Sequence, residues 1–169
     1  MNFASDFLNS CIKRYEEYKA LGDRTFEQLE EADMQFQPND ASNSIAIIIR
    51  HMHGNMMSRW TNFLTEDGEK EWRKRDEEFE TNQFSKQQLI ELWEEGWKTV
   101  LDALRSLQEE DLVKTITIRK QPLTVTDAIL RQLAHYSSHV GQLMYIGKMC
   151  RNEDWKSLSL PKARTSSNQ

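Results

Sequence analysis

Along four stretches of this chain the apolar positions recur at helical spacing, with charges filling the gaps between them. Phe7, Leu8, Cys11, Ile12, Tyr15, Tyr18 and Leu21 mark the first, predicting a helix from Phe3 to about Leu29. Pro38 and Asn39-Asp40 punctuate the segment that follows. Asn43 or Ser44 can cap a second helix running to about Leu64, with an apolar face through Ile45, Ile49, Met52, Met56, Trp60 and Phe63. Ser85, followed three residues on by Gln88, has the pattern of a capping box. It opens a third helix to about Leu107, with Leu89, Leu92, Trp93, Trp97, Val100 and Leu104 facing inward. A fourth begins near Thr126, ends near Cys150, and centres its apolar face on Ile129, Leu133, Tyr136 and Val140.

Two connections depart from this pattern. Thr65 to Phe84 spans about twenty residues, too long for a structureless loop in a compact domain, so a short helix or ordered flap is expected. It is densely charged from Glu66 to Glu80, with Trp72 and Phe79 as the expected pins. From Val113 to Val125 the residues turn β-branched, with a polar turn around Lys120-Gln121-Pro122, which predicts a small hairpin. The expected fold is all-α: an antiparallel four-helix bundle with a β-hairpin before the last helix. One domain covers residues 1–160, and the polar stretch 161–169 reads as a loose tail.

Composition narrows the function classes. The net charge of −5 is spread through interspersed acids and bases, so no basic face for nucleic acid is expected. Ile45 to Ile49 is the longest purely apolar run, far short of the roughly 20 residues of a membrane helix. The first residues show neither the basic nor the apolar region of a signal peptide, and a cytoplasmic location is expected. The two cysteines, Cys11 and Cys150, lie at bundle positions that can be neighbours, yet inert core thiols are the favoured reading.

Histidine carries the chemistry. The chain has four, and all sit in two helices. His135 and His139 are four apart and so share a helix face, where two rings can converge on one cation at about 2.0–2.1 Å. A lone pair of this kind is more often structural than metal-binding. The second helix adds a stripe of Ser44, Ile47, Ile48, His51, Asn55, Ser58 and Asn62, which after its first turn is small, polar and uncharged and suits a pocket wall. His51 belongs to that stripe, while His53 falls near the apolar face. A third imidazole from either position would leave one place on a zinc-like ion open, and the helical wheel does not choose between them.

Ser44-Ile45-Ala46-x3-Arg50-His51 together with His135-x3-His139-Val140-Gly141-Gln142 resembles the DinB-like (damage-inducible) superfamily. Gly54-Asn55-x2-Ser58-Arg59-Trp60, Asp67-Gly68-Glu69-Lys70-x-Trp72-Arg73-x-Arg75-Asp76 and Gln132-Leu133-Ala134-His135-Tyr136 narrow it to an uncharacterised bacillar branch. The resemblance covers the chain to about Pro161. It implies a four-helix bundle, commonly a homodimer, holding one divalent metal through His51, His135 and His139. Zinc is the first expectation for such a site, and nickel, iron and manganese suit the same ligands. The turn before the last helix often carries a histidine in that superfamily, where this chain has Leu123, so no extra ligand is expected from it.

Relatives of that superfamily include bacillithiol S-transferases and a mycothiol-dependent maleylpyruvate isomerase. By resemblance, the expected activity is metal-assisted transfer of a low-molecular-weight thiol to an electrophilic small molecule. Asn55, Gln132 and Gln142 would orient the imidazoles or the substrate. Arg59, Arg73 and Arg75 could take the carboxylates of such a thiol, although pairing with Glu69, Asp76 and Glu77 at the surface is the plainer expectation for most of them. The alternatives are a stress-associated bundle with a non-catalytic ion, and a protein-docking role for the charged 66–80 connection.

Overall fold

The computed structural model describes residues 2–80 and 83–159. The tail expected at 161–169 lies outside them. Four main helices pack together: α1 (Phe3–Phe26), α3 (Ile45–Trp60), α4 (Lys86–Ser106) and α5 (Val125–Arg151). A single turn, α2 (Glu31–Met34), follows α1. The hairpin of β1 (Thr115–Ile118) and β2 (Gln121–Thr124) precedes α5. Helix α3 packs chiefly on α4, and α1 on α5. Among the described residues no helix is long and apolar enough to cross a membrane.

The caps explain where each helix starts. Ser44, rather than Asn43, caps α3 by accepting from the Ile47 N–H at 3.3 Å. Ser85 and Gln88 form the reciprocal capping box of α4, and Thr124 caps α5 by accepting from Asp127 at 3.1 Å. Helix ends differ more from expectation. Helix α1 stops at Phe26, because the chain turns to bury Leu29 and the capping box of Glu30 and Asp33 starts the short α2. Helix α3 stops at Trp60 rather than Leu64. Asn62 takes a positive φ of 49°, and its carbonyl accepts from the N–H groups of Thr65 and Glu66.

The hairpin turn sits at Arg119-Lys120, not at Lys120-Gln121-Pro122, and Val113 belongs to the helical turn before β1. Both turn residues have positive φ, 55° and 60°, as the two-residue turns whose twist matches a hairpin require. Neither is glycine. Asp67 compensates by accepting from the N–H groups of Arg119 (2.9 Å) and Lys120 (2.8 Å), so the charged connection clamps the turn. Gly68 completes the clamp by donating to the Thr117 carbonyl at 2.8 Å.

The core is rich in aromatic rings. Tyr15, Trp60, Trp97 and Tyr136 meet edge to face, with centroids 5.8–6.3 Å apart. Three of the four polar ends are satisfied in place: Tyr15 donates to the Ile129 carbonyl, Trp60 to the Tyr136 hydroxyl, and Tyr136 to Asn55 Oδ1, while Trp97 Nε1 has no partner among the described residues. The first ties α1 to α5, and the other two tie α3 to α5 at the level of the histidines. Gly22 lets α1 approach α4, since a Cβ there would lie 2.2 Å from the ring of Trp93. Both cysteines are free thiols.

Candidate metal centre

His51 on α3 meets His135 and His139 on α5. The Nε2 atoms of His135 and His139 are 3.0 Å apart, and those of His135 and His51 are 3.4 Å apart. All three donor atoms lie within 4.8 Å of one another. Ligands placed tetrahedrally at 2.0–2.1 Å from an ion sit about 3.4 Å from each other, so the spacing is compatible with a shared ion. His53 lies apart from the cluster, paired through Nε2 with Glu95 on α4 at 2.9 Å. The choice left open by the helical wheel is made by packing: the small polar stripe of Ser44, His51, Asn55 and Ser58 is buried.

Hydrogen bonds at the far ring nitrogens orient two of the imidazoles. His51 Nδ1 is 2.9 Å from Glu78 Oε2, and His139 Nδ1 is 2.8 Å from Gln142 Oε1. Since carboxylate and amide oxygens accept, each Nδ1 carries the proton and each Nε2 turns a lone pair toward the centre. One proton on His135 Nε2 can serve only one of those lone pairs. A cation serves all three nitrogens at once, so the donor set fits a divalent metal. Burial pushes His135 down to about 3, helped by the charges of His139, His51, Arg73 and Arg59. Burial likewise lowers His139, against the hydrogen bond it donates to Gln142. Both rings are therefore neutral near pH 7, the state that binds metal.

Glu78 is the residue that sequence reasoning missed. It reaches the site from the flap, a 3-10 turn over Arg75–Phe79. Arg73 grips its carboxylate with two bonds, Nε to Oε1 at 2.7 Å and Nη2 to Oε2 at 2.9 Å. Burial would raise this carboxyl, but the bonds from His51 and Arg73 outweigh it and hold the group below its usual range. Gly54 makes room: a Cβ there would stand 2.2 Å from Glu78 Oε1. Nothing in Asp76-Glu77-Glu78 distinguishes the third acid from its neighbours, so only the fold identifies it.

Phe79 pins the flap as expected, lying 4.9 Å from the His51 ring between centroids. Trp72 does not pin it and is 58% exposed. Arg50 holds the flap instead, donating to the carbonyls of Glu77 and Glu80. Of the ion pairs expected of the arginines, Arg59–Glu69 and Arg75–Asp76 form, whereas Glu77 pairs with Lys74 and Arg73 takes Glu78 instead. Arg59 is buried against Glu69 and the Gly68 carbonyl, and Arg73 against Glu78. Arg75 remains at the surface beside Asp76.

Residues 2–164 match the family described as Protein of unknown function (DUF1572). The chain belongs to that family. A comparison with curated proteins found no match. Of the other site candidates in this DUF1572 protein, Gln142 bonds His139, while Asn55 accepts from Tyr136 rather than touching an imidazole. Gln132 is buried, and its Oε1 has no partner among the described residues, as is true of His135 Nδ1. Leu123 packs on the core.

Proposed function

We propose that His51, His135 and His139 hold one divalent metal ion and that the protein is a metal-dependent enzyme acting on a small thiol and an electrophile, as the DinB-like resemblance implies. The observation that carries the metal reading is the convergence of three Nε2 atoms, two of them fixed as lone-pair donors by Glu78 and Gln142. Three neutral imidazoles leave a bound divalent ion its full charge, which would lower the pKa of a coordinated thiol or water.

The chain's own residues supply orientation. Glu78 and Gln142 set the tautomers of two rings, and Tyr136 turns the Asn55 amide so that its oxygen faces the core. Glu78 is doubly engaged by Arg73 and is no free base. That suits chemistry whose nucleophile arrives as an anion, and it equally suits an ion that only braces the bundle. Zinc is the first expectation, and the functional unit is proposed to be a homodimer.

Two measurements separate these readings. Elemental analysis of untagged protein is expected to show stoichiometric metal, lost in His139→Ala with helicity retained. Retained metal in that variant would remove the ligand set. Metal-loaded protein is then incubated with cellular thiols and a generic electrophile. Stoichiometric metal without thiol consumption leaves the bracing ion as the function.

A further inference from the structure

Beside the histidine cluster lies a cavity of about 240 Å³ that five arginines line: Arg59, Arg73, Arg75, Arg119 and Arg131. They come from α3, the connection after it, the hairpin turn and α5, so the fold gathers them from four parts of a chain whose net charge is −5. No carboxylate lines this cavity among the described residues. The acids that balance the cluster are set behind it. Glu69 pairs with Arg59 at 2.9 Å and Arg119 at 2.6 Å, and Glu78 is shared between Arg73 and His51.

Glu69, Glu78 and, beside Arg75, Asp76 are three carboxylates against five guanidinium groups, which leaves the wall positive. Arg131 makes no ion pair among the described residues, and it stands one helical turn before His135. Arg75 meets only exposed Asp76, at 3.7 Å, and lies over the Phe79 ring. Buried groups point the same way. Among the described residues Arg59 Nε and Gln132 Oε1 have no partner; the two residues are 6% and 4% exposed, and both line the cavity. Buried cations and unpaired polar atoms are costly without a partner, and the two oxygens of a carboxylate or phosphate are what guanidinium forks match.

We propose that this cavity is an oxyanion site that takes the carboxylate or phosphate groups of a compact small molecule. The volume falls below the roughly 300–1,000 Å³ of drug-sized ligand pockets, which fits a small anion or the anionic end of a longer one. His51 and His135 form one wall, so the held molecule presents its other end to the imidazoles. That orientation toward a metal rests on the function proposed above; capture of the anion by the arginines does not.

The test is calorimetric titration of the full chain, metal-free and zinc-loaded, with malonate and with inorganic phosphate, using chloride as the background anion. Metal-free protein is expected to bind one of the two probes saturably at one site, and the preferred probe tells carboxylate from phosphate. Arg131→Gln, an exposed position, is expected to weaken binding about tenfold, and Arg75→Gln to weaken it less. Tighter binding to zinc-loaded protein would place the anion against the ion. Equal binding with and without zinc would count against that orientation alone. No saturable binding of either probe, or binding unchanged in both variants, overturns the site.

Discussion

Gly54→Ala sets helix propensity against the architecture of the metal centre. In the interior of a helix this change alone stabilises by about 1 kcal/mol. Here the new Cβ would lie 2.2 Å from Glu78 Oε1 and 2.8 Å from its Cδ. The carboxylate must retreat by about 1 Å to reach ordinary contact. At 2.9 Å, the bond to His51 has no slack and is lost. Arg73 stands on the same flap and can follow, keeping most of its grip. A hydrogen bond to a charged group contributes about 1.5–3 kcal/mol, so the net effect is a loss of about 0.5–2 kcal/mol. For a chain of this size that lowers the melting temperature by roughly 1–8 °C. Freed from its partner, His51 is no longer held in one tautomer, and zinc affinity is expected to fall about 10–100-fold. Thermal unfolding of metal-free protein and competition with a chelating indicator read the two effects. Gly141→Ala is the control: nothing lies within 4 Å of a Cβ at that exposed helical position, and it is expected to raise stability by up to about 1 kcal/mol. If Gly54→Ala also melts higher and binds zinc like the parent, Glu78 is not braced against α3 and the reasoning fails.

Acid should weaken the metal-free protein. Below pH 6.5 an unfolded chain protonates His135 and His139, whereas folding holds His135 neutral down to about 3 and lowers His139. The unfolded state then binds more protons, so stability falls as pH drops from 6.5 toward 3. Urea midpoints measured between pH 7 and 4 should decline less steeply in His135→Gln, and an identical slope would contradict the assignment. Asp67→Ala should cost about 2 kcal/mol by leaving the turn's N–H groups without their acceptor. Hydrogen exchange at Arg119 and Lys120 should speed up more than in the core of α5, and unchanged protection there would argue against the clamp. Asp67 is held ionised down to about 2, because the N–H groups of Glu69, Lys120 and Arg119 outweigh the effect of burial.

Much of this protein can be read from local pattern. Period and caps are properties of a few consecutive residues, which is why Ser85 and Gln88 announced α4, and Tyr15, Trp97 and Tyr136 announced core faces. The i, i+4 spacing of His135 and His139 likewise needs nothing but an α-helix. Three features depended on distant parts of the chain. His51 rather than His53 joined the cluster, because the angle at which α3 packs buries the small polar stripe. Glu78 became a partner of His51 through a flap that Arg50 and Phe79 fasten to α3, and a run of acids does not reveal which one will be enclosed. The arginine-lined cavity assembles from residues between 59 and 131, each of which, in isolation, is an ordinary surface charge. Periodicity determines which side of a helix is buried. What that side meets depends on how helices and connections pack, and the chemistry of the site lies in those meetings.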